Sequence, residues 1–156
     1  MEELTDGDPL EVARENARRK ARAVDGELVV GVDTVVALDD RILPKPGDAA
    51  QARQWLETLS GRTHRVVGGL CVVRAGRERA AVEVTEVTFR QLTGDDVAWY
   101  VASGEWEGKA GGYAIQGRGA ALVDRIAGDY LNVVGLPLTA LLRLVPELLQ
   151  MRGIRA

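Results

Sequence analysis

Four places in the chain combine residue types that can do chemistry. Asp33 is the one charge in the interior of the largely apolar run Glu27–Leu38. An ionised carboxylate there is costly unless it is paired, metal-bound or near solvent. It is therefore either a general base or metal ligand beside Thr34, or an aspartate bonded to nearby backbone amides. In sheets with parallel strands, ligands collect beyond the strands' carboxyl ends, which suits an Asp-Thr pair interrupting a strand. Lys45 lies between Pro44 and Pro46, whose fixed φ angles hold the ammonium in a narrow region suited to phosphate; the alternative is a solvated surface charge. The Ser60–His64 stretch offers Arg62 as an anion contact, or serves only as a helix C-cap through Gly61. Finally, Gly108–Gly117 places Lys109 and Gln116 among glycines that permit close backbone approach to a ligand. Its alternative is a tight connection needing positive φ, and it matches neither the P-loop nor the dinucleotide fingerprint.

Composition narrows the chemistry. A single cysteine, Cys71 in an apolar run, and a single histidine give no soft cluster for zinc. Oxygen ligands and a hard divalent cation such as magnesium are left. A formal net charge of −3 argues against a general nucleic-acid binder, since duplex binding requires phosphate neutralisation. No stretch is apolar enough to cross a bilayer, and the acidic Met1–Asp6 start lacks a signal-peptide pattern. The cytoplasm is the expected location.

The positioning elements follow from periodicity and capping. Asp8-Pro9-Leu10-Glu11 opens a helix expected to run to about Asp25, with Leu10, Ala13, Ala17, Ala21 and Val24 on one stripe. That phase puts Lys20 at the edge of the core and Arg19 in solvent. Glu27–Leu38 reads as a buried strand, with Asp39-Asp40 as a turn. A second helix is capped by Asp48, and Arg65–Arg74 with Ala80–Arg90 read as a hairpin. Thr93 with Asp96 starts a third helix ending near Val101. Ala114–Gln116 and Ala120–Ile126 are expected as short strands, Gly128–Pro137 as a loop, and Leu138–Leu149 as a helix bent at Pro146. No linker divides the chain, so residues 1–156 are expected to form one domain.

Five segments, in this order, resemble the motif series of the Maf family: Gly31–Val36, Lys45-Pro46, Leu59–Val66, Lys109–Gly117 and Asn132–Pro137. The resemblance runs from about Pro9 to Leu149. It implies an α/β fold with a mixed sheet and flanking helices around a deep cleft, related to the inosine-triphosphate pyrophosphatase architecture. It also implies hydrolysis of a nucleoside triphosphate to monophosphate and pyrophosphate with a divalent cation, Mg2+ or Mn2+. Asp33 matches the family's proton acceptor and a metal ligand, Thr34 and Gln116 positions tied to base selection, and Lys20, Lys45 and Lys109 its phosphate-side lysines. Arg62 falls in a matching segment and is taken as a further substrate contact. The Asp-Thr and Ala-Ile-Gln-Gly versions resemble the branch preferring dTTP and UTP over 7-methyl-GTP. Three departures stand out. Nothing matches the first strand and its Ser-x-Ser-Pro-Arg-Arg type loop; Glu2 or Glu3 resembles the acidic metal ligand that follows it, with Glu3 expected in that role. Gly68 stands where threonine is common, and Gly108 where an aspartate often precedes the lysine. The rival expectation is a catalytically weakened nucleotide-binding protein linked to septum formation. A homodimer is expected from a strand edge left unpaired.

Overall fold

A nearly continuous run of β-branched residues makes β1 (Leu28–Leu38) the strand around which the rest is arranged. A computed structural model describes residues 1–152; the last four residues of the expected domain lie outside the described residues. β1 turns through Asp39 and Asp40, both at positive φ, into the short β2 (Arg41–Ile42). β3 (Thr63–Arg74) and β4 (Arg77–Phe89) are joined through Ala75-Gly76, again both at positive φ. These are two-residue hairpin turns whose twist suits antiparallel neighbours. With β5 (Val123–Ala127) the sheet order is β2-β1-β3-β4-β5.

Each of the four pairings is antiparallel, so the expected mixture of strand directions is not seen among the described residues. The parallel-sheet argument for Asp33 therefore does not apply: Asp33 sits in the middle of β1, opposite Gly69 of β3. On its other side β1 pairs only at Ala37 and Leu38. Among the described residues its edge from Leu28 to Val35 has no strand neighbour.

Helix α1 (Pro9–Arg22) starts as expected, with Asp8 accepting from the Glu11 amide at 3.1 Å and Pro9 in the first turn. It stops at Arg22, short of Asp25. Ala13, Ala17 and Ala21 are buried against the sheet. The approach is as close as backbones allow: a Cβ on Gly31 would lie 2.1 Å from the Ala17 carbonyl oxygen, and one on Gly69 2.0 Å from that of Ala13. Gly31 and Gly69 therefore let α1 rest directly on β1 and β3.

The opposite face carries the remaining elements. α2 (Ala49–Leu59), capped by Asp48, and α3 (Gly94–Ala102), with a Thr93–Asp96 capping box, pack with Val36, Leu38, Val66, Val87 and Phe89 into the main core. α5 (Leu138–Leu144) covers Leu70 and Val72. It ends before Val145, because proline at 146 disfavours helical φ and ψ in the residue before it and supplies no amide donor; among the described residues a 3-10 turn at Leu148–Gln150 follows. Ala114–Gln116 is not a strand, and the Gly-rich stretch instead makes 3-10 turns at Ala110–Gly112 and Gly117–Leu122. Within the expected Gly128–Pro137 loop, Asp129 caps a short helix, α4 (Tyr130–Val134). No described helix is long and apolar enough to cross a membrane.

Candidate active site

Strand alternation points Asp33 toward α1 and Thr34 toward the opposite face. Because the edge of β1 is open there, both reach one cavity of about 280 Å³. Its walls also include Lys20, Lys45, Lys109, Gln116 and the apolar Val36, Val66, Val133 and Val134. Six of the residues expected from sequence thus meet at one place. Glu3 lines an adjoining cavity of about 120 Å³ that shares Asp33, Thr34 and Lys45 with the first.

The charged groups form a continuous chain. Lys20 Nζ lies 2.8 Å from Asp33 Oδ1 and 2.8 Å from Glu3 Oε1, and Lys45 Nζ is 3.5 Å from Glu3 Oε2. Burial works against the Lys20 ammonium, but the hydrogen bonds to Asp33 and Glu3 outweigh it and hold its pKa above the usual lysine value. The hydrogen bond from Lys20 in turn holds the Glu3 carboxyl below its usual range. Asp33 is only 7% exposed, and its second oxygen accepts from Asn16 Nδ2 at 3.1 Å. Compensation of its charge therefore comes from two side chains one turn apart on α1, not from backbone amides. Asn16, itself buried, was not singled out from sequence. The available signal was an amide at position i with Lys20 at i+4 on the face of α1 that packs inward.

Arg62 is not brought to the cavity. Its guanidinium pairs with Asp39 at the β1–β2 turn. Gly69, the cross-strand neighbour of Asp33, is seven residues further along β3, on the order of 20 Å at ~3.3 Å per residue. Arg65 pairs with Asp40 at the same turn, and the two arginines brace that end of the sheet.

The Gly-rich segment that brings Lys109 and Gln116 to the cavity is fastened from behind. Gly111 N–H donates to the Leu43 carbonyl at 2.9 Å, and Ala114 N–H to the Tyr100 hydroxyl at 2.9 Å. The amides of Arg118 and Gly119 donate to the Glu105 carboxylate at 3.1 and 3.3 Å. Between them, the Tyr113 hydroxyl lies 2.6 Å from His64 Nε2, and both rings meet Phe89 edge-on. Burial depresses the His64 pKa to about 4 and raises that of Tyr113, so the pair is neutral over the physiological range. On the Lys45 side, Trp55 Nε1 donates to the Pro44 carbonyl at 2.9 Å. The Val133–Gly135 wall hangs on Asn132, whose Nδ2 reaches the Val66 carbonyl and Thr85 Oγ1 at 3.1 Å each. A Cβ at position 68 would stand 1.8 Å from Asn132 Oδ1, so glycine there gives that side chain its room.

The two carboxylates can be tested against a divalent cation. Among the described residues no group of three His, Cys, Asp or Glu gathers, but Glu3 and Asp33 share the Lys20 ammonium as a neighbour. Magnesium binds through one or two carboxylates and completes its shell with water and substrate phosphate oxygens. The donor set fits that mode of binding.

Comparison with known proteins points the same way. The family model described as Maf-like protein matches residues 1–148. A dTTP/UTP pyrophosphatase of Pyrococcus furiosus is 43% identical over 150 residues, covering 92% of this chain and 78% of the relative. One of Deinococcus radiodurans is 46% identical over 148 residues, covering 92% and 76%. One of Paramagnetospirillum magneticum is 53% identical over 135 residues, covering 83% and 71%. With the cavity, its lysines and the motif order all in agreement, the chain belongs to the Maf family.

Proposed function

We propose that this chain hydrolyses nucleoside triphosphates, dTTP and UTP foremost, to the monophosphate and pyrophosphate in this cavity. The observation that carries the reading is a buried carboxylate, Asp33, held by Lys20 and Asn16 within a cavity that three lysines line. The names of the relatives supply the substrate class. Hydrolysis between the α and β phosphates joins water oxygen to phosphorus and breaks the bridging P–O bond. Pyrophosphate leaves, and Asp33 accepts the proton of the water. Lys45 and Lys109 offset the negative charge of the phosphates, and Lys20 holds Asp33 Oδ1 while facing the same cavity. Thr34 and Gln116 read the base: the glutamine amide offers one donor and one acceptor side by side, complementary to the carbonyl and N3–H edge of thymine or uracil. Glu3 and Asp33 would hold Mg2+ or Mn2+, which would neutralise phosphate charge when bound. Arg62 is left out of the substrate set, as its partner is Asp39.

The same proposal treats the chain as one nucleotide-processing domain acting in the cytoplasm, and as a homodimer. The test is pyrophosphate release with magnesium across a panel of dTTP, UTP, ATP and 7-methyl-GTP, for the wild type and Asp33→Asn. The expected result is preference for dTTP and UTP, with turnover lowered by about 10² or more in the variant and nucleotide binding retained. Wild-type turnover in Asp33→Asn removes that residue as the proton acceptor. Binding without turnover by the wild type supports the regulatory alternative.

A further inference from the structure

Asn16 makes a set of contacts that its place in the helix does not account for. It sits inside α1 at 2% exposure, where asparagine is a poor helix former and a primary amide is costly to bury without partners. Its Oδ1 accepts from Leu4 N–H at 2.7 Å. Its Nδ2 donates to the Leu4 carbonyl at 2.9 Å and to Asp33 Oδ2 at 3.1 Å. Only an amide in this orientation satisfies all three, since the flipped group would set its oxygen against two acceptors.

These contacts close a ring. From Asn16 the path runs to the Leu4 backbone, through the chain to Glu3, from Glu3 to Lys20, from Lys20 to Asp33 Oδ1, and from Asp33 Oδ2 back to Asn16. We infer that Asn16 is a positioning residue for the reaction, setting the Glu3-bearing segment and the Asp33 carboxylate in fixed relation to each other. This rests on the reading of Asp33 as the proton acceptor. Lys20 supplies the charge within the ring; Asn16 supplies the geometry. Each Asp33 oxygen is bonded by one of these two side chains, so the carboxylate cannot rotate without breaking a bond to α1. The Leu4 backbone is held at both its donor and its acceptor, as by a neighbouring strand.

The test uses Asn16→Ala, which favours the helix, and Leu4→Pro, which deletes the Leu4 N–H from outside the core. Three quantities are measured: dTTP turnover with magnesium, dTTP binding without metal, and hydrogen exchange at the Leu4 amide wherever that amide remains. In Asn16→Ala the Leu4 amide is expected to exchange at least about tenfold faster. Its kcat is expected to fall about tenfold or more, with metal-free Kd within about threefold of wild type. Leu4→Pro is expected to lower kcat in the same direction by a smaller factor. A folded Asn16→Ala protein with kcat within about twofold of wild type overturns the inference, as does an equal loss in kcat and metal-free binding, which is what a purely structural defect produces. If Asn16→Ala does not fold, an unchanged kcat in Leu4→Pro overturns it instead. Asp33→Asn is assayed alongside. Full turnover in that variant defeats the reading of Asp33 itself, whereas an inactive Asp33→Asn with a normal Asn16→Ala defeats only the role of Asn16.

Discussion

His64 is an ionisable ring that the fold keeps uncharged. Buried beneath Tyr113, its pKa falls from 6.5 to about 4. Above pH 6.5 the ring is neutral in both folded and unfolded chains and nothing is lost. As pH falls from 6.5 toward 4, the unfolded chain takes up a proton that the folded one refuses, so stability drops, by about 3 kcal/mol over the whole window. Thermal unfolding of the wild type is therefore expected to weaken more steeply between pH 6.5 and 4 than that of His64→Gln, whose amide can still reach toward the tyrosine hydroxyl but does not titrate. Parallel pH profiles of Tm for the two proteins would dismiss this account. Asp33 was legible in sequence because a lone charge in an apolar strand needs compensation. What compensates it was not legible, since Asn16 and Lys20 meet it only once α1 lies across β1.

At the scale of elements, α1 determines how much of the site can exist. Its backbone rests on Gly31 and Gly69, where a methyl group would meet carbonyl oxygens at 2.1 and 2.0 Å. Gly31→Ala or Gly69→Ala must push the helix off the sheet, at a cost of about 1–3 kcal/mol or more for overpacking. The expected signature is a lower Tm together with a loss of turnover, because Lys20 and Asn16 move with the helix. An active Gly31→Ala protein with unchanged Tm would show that the helix yields without consequence. Capping residues made α1, α2 and α3 readable at their starts, and turn residues made the β3–β4 hairpin readable; at Asp39-Asp40 they gave the turn but not the two-residue strand β2 that follows it. Two further places were not readable. Ala114–Gln116 looks like a strand, but the Ala114 amide is taken by the Tyr100 hydroxyl and those of Arg118 and Gly119 beyond it by Glu105, partners distant in sequence. The helical turn of α4 is capped by Asp129 within a stretch whose Gly128 and Gly135 suggested only a loop.

At the scale of the whole molecule, one side of β1 has no strand neighbour from Leu28 to Val35 among the described residues. An unpaired edge from Leu28 to Val35 is a template for another strand, and a second copy of the chain is the partner in the proposed homodimer. Sedimentation velocity is expected to show a dimer at micromolar concentration, and Val30→Lys, at an exposed position of that edge, is expected to return it to the monomer with its fold intact. A wild type that sediments as a monomer throughout that range ends the dimer proposal. The segment from Gly108 to Gly119 carries a different consequence. Tyr100, Glu105 and His64 fasten it from outside the cavity wall, Tyr113 reaches back from that wall to His64, and the side chains of Lys109 and Gln116, the proposed substrate contacts, take no part in these fastenings. Mounting and reading head are separate parts, so libraries randomised at Gln116 and Thr34 can search for new base preferences while the fastenings that hold the segment stay in place.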